Sequence, residues 1–513
     1  MTTVWNNPEF IRNVRAQLRP GKVLATACIT AAISIALGFA FSHQGEQPMG
    51  SNGWGRQLLL VAFVLQAIML AAGGGIACVN SIFREKEQNT FDFQRITQLT
   101  PLELTVGKLF GAPVFTYFVF VCLMPLAIFG AVMSKQKASI FLAMYAVLLV
   151  GSLMMHLLAL LISLLAVRGA HTGAILLFLV LLWGTSTQIA PLLYFQIGPV
   201  GPFFAAQMTD WETWEHKSVT LRDGTTYDAP GFYDVFFGKK VQHVPVLIAI
   251  DLIFAGWFLL ALVRNIKRDP NYYEIYSPLQ LLGFAMFLNL LFVAFFRWRA
   301  ANPLDGQAFL LTLNMGVFFC FGLVAMRNRE RVRRILRTKL GAASSVLDIT
   351  WPAPLLILGT VAAGVIVILG VGEGRDPQVE WNGSFALFRA LFFAGWIARD
   401  VQFLQWMSLR RGKHTLVMGI LFLIIFYVCV TILLSAFGFY TAAERVPFTA
   451  FFLPSAVYLL DHSAWVLRPA IWTAAFVAQW FLVAVFIRLQ KQIMDDLNIA
   501  GEAPAAAPFP AQT

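Results

Sequence analysis

Hydrophobic and polar positions alternate along this chain on a long scale, with apolar runs of about twenty residues separated by short polar, charged or Pro/Gly-containing pieces. A membrane-crossing helix needs roughly 20 mostly apolar residues to span a hydrocarbon core about 30 Å thick. The pattern predicts twelve such helices, at about 22–42, 58–80, 109–133, 139–166, 171–195, 243–264, 279–296, 306–326, 351–371, 385–407, 415–438 and 470–489. A membrane barrel needs short strands of alternating polarity, which these continuous runs do not offer. The expected fold is therefore an all-α polytopic membrane protein. The run at 385–407 differs from the rest in holding Arg389, Arg399 and Asp400.

Composition supports the same class. With 58% hydrophobic residues, 47 Phe and a mean hydropathy of +0.70, a water-soluble globule would expose far too much apolar surface. The 38 Lys and Arg fall mostly on one side of the predicted spans. Since basic residues resist translocation, both termini are expected in the cytoplasm. The densest basic run, MRNRERVRRILRTK at 326–339, then becomes an inner connection that meets anionic lipid headgroups. This accounts for the basic balance without nucleic acid. Cys28, Cys78, Cys122, Cys320 and Cys429 all fall within predicted spans, so no extramembrane disulfide or metal framework is expected. The polar start MTTVWNNPEFIRNVRAQLRP is unlike a cleavable signal peptide, and the Ala- and Pro-rich end, 491–513, is expected to be a disordered tail.

The two halves share a plan, read as a six-span bundle at 1–265 and a second at 266–490. Each has an interfacial lead-in segment, two spans, a charged inner segment (81–108 and 327–350), four more spans, and a long outer loop between the fifth and sixth. The loop at 196–242 contains SVTLRDGTTYDA, which predicts a hairpin turning at Asp223-Gly224. Its Trp211, Trp214, Tyr227 and Tyr233 suit interfacial anchoring.

The charged stretch SIFREKEQNTFDFQRITQLTPLELTVGKLFG, 81–111, predicts two helices. The first, Arg84 to Gln98, places Glu85 and Glu87 early and Arg95 late, matching the helix dipole. The second starts at Pro101, capped by Thr100 with Glu103 reaching back, and is expected to continue through Gly107 and Lys108 into the third span. An amphipathic hairpin lying on headgroups would explain the charges alone. A capped restart tied to a transmembrane helix fits a lever better.

This order of phrases resembles the ABC-2 type permeases, the membrane subunits of a class of ATP-binding cassette transporters. Asn89-Thr90-Phe91-Asp92 stands where that family often has Gly-Thr-Leu-Glu, and a Thr-Pro-Leu phrase and a Gly-Lys pair lead into the third span. The strong likeness covers about thirty residues, with a weaker one over 1–265. The resemblance implies that 84–98 is a coupling helix docking on a separate nucleotide-binding subunit. Arg84, Glu85, Glu87, Thr90, Phe91, Asp92, Phe93, Thr100, Pro101, Glu103, Gly107 and Lys108 then carry the coupling. It also implies export across the bacterial cytoplasmic (inner) membrane, with ATP and Mg held by the partner ATPase. No G-x-x-x-x-G-K-[ST] phosphate loop occurs in this chain, so no cofactor is expected here. A second coupling segment is expected at Arg329, Glu330 and Arg333, or, on a competing alignment, within 398–415. The chain is either a fused pseudo-dimer or pairs with a second permease or a second copy of itself.

Ionisable residues inside spans are costly and count as functional candidates. A salt bridge between Asp251 and Arg389 joining the halves is geometrically allowed, with structural pairing or snorkelling favoured over a substrate contact, and His156 is read as a hydrogen-bonded packing residue. The glycines at 73–75 are expected to permit close approach. Two further function classes remain open on sequence: a polytopic enzyme acting on lipid-linked substrates, and an ion-driven carrier using Asp251 and His156.

Overall fold

The computed structural model describes residues 6–42, 53–165, 218–220, 226–228, 233–236, 239–268, isolated positions within 275–291 and 329–333, and residues 383–410, 412, 415–439, 446–454 and 468–502. The chain divides into two compact units, Met1–Ile275 and Tyr276–Thr513.

The first unit opens with α1 (Pro8–Gln17) and α2 (Pro20–Ser42). Next comes a long helix made of α3 (Gly53–Ala67), a π-helical segment (Ile68–Gly73) and α4 (Gly74–Glu87). After α5 (Phe91–Ile96) and α6 (Pro101–Gly111) come α7 (Val114–Met133), α8 (Ala138–Leu165) and α9 (His243–Asn265). The second unit contains α10 (Gly383–Leu409), α11 (Thr415–Ala436), a helical turn at Val446–Thr449, and α12 (Pro469–Glu502).

Seven of the described helices are long and apolar enough to cross a membrane: Pro20–Phe41, Trp54–Glu87, Val114–Met133, Ala138–Leu165, Val244–Asn265, Thr415–Ala436 and Pro469–Leu497. They give the chain the character of a multi-pass membrane protein. The expected span at 385–407 is helical as α10 but is not among the seven. Those at 171–195, 306–326 and 351–371 lie outside the described residues, and 279–296 is described only at isolated helical positions.

In the first unit α3 packs on α7, and α8 receives both α4 and α9. Leu59, Phe63, Leu70, Phe120, Met144 and Leu148 meet in the core between them. Helices α7, α8 and α9 are apolar on nearly all sides, as buried or lipid-facing helices must be. Gln66 is buried in that core with its needs met: its amide donates to the Phe120 carbonyl at 3.2 Å and accepts the Tyr145 hydroxyl at 2.5 Å.

The helical reading needs three adjustments. Two short antiparallel hairpins stand in the loop before α9. β1 (Ser218–Thr220) pairs with β2 (Thr226–Asp228), as the Asp-Gly turn predicts, and β3 (Tyr233–Phe236) pairs with β4 (Lys239–Gln242), which the sequence reading missed. The final helix does not stop near 489 and give way to a disordered tail at 491. It runs to Glu502, because Met494 and Leu497 continue its apolar face and pack on Val332 and Leu409. The helix expected from Arg84 to Gln98 is divided, for a reason that lies in the candidate site.

Candidate functional site

The long second helix, Trp54–Glu87, holds 34 residues and at 1.5 Å per residue measures about 50 Å. That exceeds a hydrocarbon thickness of about 30 Å, and its last turn is charged, with Arg84, Glu85, Lys86 and Glu87. It ends in a Schellman motif: the Asn89 amide donates to the Lys86 carbonyl at 3.2 Å and the Thr90 amide to the Glu85 carbonyl at 2.8 Å. Asn89 takes φ 54°, the left-handed conformation that Gly and Asn tolerate best. Arg84, Glu85 and Glu87 therefore belong to α4, and a separate helix, α5, carries Phe91, Asp92 and Phe93. The single helix Arg84–Gln98 is replaced by this pair.

The restart is as expected. Thr100 accepts the Glu103 amide at 3.2 Å, Glu103 accepts the Thr100 amide at 2.9 Å, and Pro101 opens α6. The expected unbroken run into the third span is interrupted at Ala112–Pro113, where proline lacks an amide hydrogen and α7 begins anew at Val114. Lys267, just past α9, donates to the Thr97 carbonyl at 2.7 Å and so ties the α5–α6 bend to the end of another helix.

What holds these pieces together is a cluster of four charges. Lys108 on α6 is fully buried; its ammonium lies 3.1 Å from Glu9 Oε1 and 2.5 Å from Glu85 Oε2. Arg12 donates to Glu9 Oε1 at 2.8 Å and to Glu85 Oε1 at 2.5 Å. Gln94 of α5 donates to Glu85 Oε1 at 2.7 Å. The two carboxylates and two cations are formally neutral together. Partial burial pulls the Arg12 pKa down, but Glu9 and Glu85 outweigh it and hold the net shift upward. The Lys108 ammonium also lies 6.0 Å from the centroid of the buried Phe91 ring.

Close backbone approach makes this cluster possible. A Cβ on Gly107 would stand 2.7 Å from Asn7 Oδ1 and 2.8 Å from Glu9 Cβ, so only glycine lets α1 lie on α6 there. Asn7 caps α1 through the Glu9 amide and donates to the Glu103 carbonyl at 2.6 Å. On the other side of α4, Lys86 donates to the Ser163 and Leu164 carbonyls at 2.9 and 2.6 Å, satisfying the end of α8.

The structure thus sorts the predicted coupling residues into two groups. Glu85, Phe91, Gly107 and Lys108 face inward and join helices. Arg84, Glu87, Thr90, Asp92 and Phe93 face outward. Phe93 and Ile96, one turn apart on α5, are 69% and 81% exposed and form an apolar spot among charges. Asn7, Glu9 and Arg12 were missed by sequence reading: Glu9 and Lys108 lie 99 positions apart. The only available signal was an acidic residue in an otherwise basic lead-in.

Among the intramembrane candidates, His156 is buried and satisfied. Its Nε2 lies 2.8 Å from the Leu70 carbonyl, which can only accept, so Nε2 carries the proton of the neutral ring. Its Nδ1 then accepts the Tyr117 hydroxyl at 3.0 Å. Leu70 sits in the π-helical segment, where the ladder is widened. A Cβ on Gly74 would fall 2.2 Å from His156 Nε2, so the glycine run admits a side chain against the helix. Gly74→Ala is expected to lower stability by about 1–3 kcal/mol through overpacking, measured by thermal unfolding in detergent, with His156→Ala in the same background recovering part of the loss. Asp251 is fully buried in α9, whereas the side chain of Arg389 lies outside the described residues, as does the proposed bridge between them.

The second unit holds a polar layer built on Arg399 and Asp400, which lie both in the expected span at 385–407 and in the competing coupling segment at 398–415. Arg399 donates to Asp400 Oδ1 from Nη2 at 2.6 Å and from Nε at 2.8 Å, to the Tyr427 hydroxyl at 2.7 Å and to Gln479 at 3.1 Å. Tyr427 donates in turn to Asp400 Oδ2. Both charged residues are buried within α10. Arg329, Glu330 and Arg333 occupy isolated helical positions around buried Val332, with Glu330 exposed; the rest of 327–350 lies outside the described residues.

No family model, known relative or solved structure matches this chain.

Proposed function

We propose that the chain is the membrane-spanning permease of an ATP-driven transporter of the ABC-2 type, coupled through α4, α5 and α6 to a separate ATP-binding subunit, and more suited to export than import. The observation that carries this reading is the exposed Phe93–Ile96 spot on α5, flanked by Glu87 and Asp92 and anchored from behind by the buried charge cluster. A partner pressing on that spot would move α4, α6 and α1 together, because Glu85, Lys108, Glu9 and Arg12 link all three. Two details agree with the family resemblance. Asn89 holds a left-handed conformation where the family often has Gly, and the Thr-Pro-Leu-Glu phrase forms a capping box.

The test separates docking from folding. The tagged chain is isolated in mild detergent from its own membrane, and copurifying ATP-binding proteins are identified and quantified. Phe93→Asp with Ile96→Asp alters two exposed apolar side chains and leaves the Asp92–Arg95 ion pair in place; it is expected to reduce ATPase recovery ~10-fold or more, the scale of losing an interface anchor, with no change in unfolding temperature. Undiminished ATPase recovery from that variant, or no ATPase with the wild type, would contradict the reading.

A further inference from the structure

We infer that the elbow joining α1 to α2 is a binding surface for anionic lipid headgroups, and that bound lipid steadies α1 against the charge cluster. Both parts rest on the contacts of α1 and not on the coupling reading above.

Helix α1 is amphipathic in an unusual sense. Its polar side meets protein: Asn7 and Glu9 lie against Gly107, Asn13 against Gly111, and Gln17 donates to the Ala112 carbonyl at 2.9 Å. At 3.6 residues per turn, Ile11, Val14 and Leu18 share a different face, and all three are only partly buried. A helix that turns its apolar side away from its protein neighbour suits a lipid interface, where one face is wetted by acyl chains.

The charges at the elbow point to which lipid. Arg15, Arg19 and Lys22 are exposed and make no ion pair among the described residues. By contrast, Arg12, Arg95 and Lys108 each hold an acidic partner. Three unpaired cations therefore gather within eight residues, immediately before the apolar run of a candidate membrane span, Pro20–Phe41. That is the depth at which phosphate headgroups lie, and basic residues there are attracted to anionic leaflets. The polar side of the same helix contributes Glu9 and Arg12 to the cluster, so an occupied elbow fixes the piece on which α6 rests.

The purified full chain is placed in nanodiscs of phosphatidylcholine alone or with phosphatidylglycerol, and amide exchange is followed over residues 8–17. Phosphatidylglycerol is expected to slow exchange in α1 several-fold. The triple variant Arg15→Gln, Arg19→Gln, Lys22→Gln is expected to lose that response while matching wild type in phosphatidylcholine. Should the triple variant fail to insert, wild type at high salt serves instead, since screening should abolish the slowing. Equal exchange in both lipids, or a slowing that survives both the substitutions and salt, overturns the inference. No ATPase is present, so a failed docking experiment leaves this result untouched.

Discussion

Replacing Lys108 with Met is expected to lower the stability of the first unit by about 3–5 kcal/mol, the cost of breaking a buried ion pair from one side. Lys108 is fully buried and touches two carboxylates, Glu9 and Glu85. Its removal leaves a cluster of one cation and two anions in a low-dielectric setting, where an uncompensated charge has little solvent to turn to. Met fills much of the same volume, so the loss reflects charge more than a cavity. The double variant Lys108→Met, Glu85→Gln restores neutrality, leaving Glu9 with Arg12, and should recover most of the loss. Thermal unfolding of wild type, both single variants and the double variant measures the coupling. Additive losses would show that the four groups do not act as one cluster. Because Glu85 faces inward, its substitution tests assembly, and a drop in partner binding from it alone says little about docking.

Arg399→Leu should be comparably damaging in the second unit, again by about 3–5 kcal/mol. Arg399 and Asp400 form a neutral pair whose remaining polar needs are met by Tyr427 and Gln479 on neighbouring helices. The Arg399 guanidinium also stacks 4.1 Å from the centroid of the Trp396 ring. The layer is closed off along α10 by aromatic contacts. Phe392 meets Trp472 at 6.5 Å before it, and Phe403 meets Phe486 at 5.5 Å after it. Removing only the cation strands Asp400 among these rings. Arg399→Leu with Asp400→Leu removes both charges and should fall well short of the sum of the two single losses, leaving the Tyr427 hydroxyl and Gln479 amide to adjust. Insertion yield and unfolding in detergent distinguish these outcomes, and an Arg399→Leu protein as stable as wild type would show the layer to be dispensable.

Much of the architecture was legible because membrane helices announce themselves by length. Runs such as 415–438 need no partner to be recognised, and their limits match α11 within a few residues at each end. The capping box was legible too, since Thr100 and Glu103 satisfy each other within one turn. The break at Asn89 was harder. Its signal is a single residue able to take a left-handed conformation, and the charges on either side read equally well as one helix. Long-range pairing was invisible. Nothing local in EFIRNVR marks Glu9 and Arg12 as members of one cluster with Lys108, and adjacent Arg399 and Asp400 look like a defect until Tyr427 and Gln479 are brought beside them. In the first cluster neutralisation depends on helices far apart in the chain, and in the second, where the two charges offset each other locally, the remaining hydrogen bonds do.

If the exposed face of α5 meets an ATP-binding subunit, as proposed, photo-crosslinking from position 93 in intact membranes will capture that subunit. With a photoreactive residue at Phe93, the expected adduct is a single ATP-binding protein carrying a phosphate-binding loop. It should be lost when Ile96→Asp is added and absent when the probe is moved to buried Phe91. Adducts to lipid alone, or to a protein with no nucleotide-binding sequence, would contradict it.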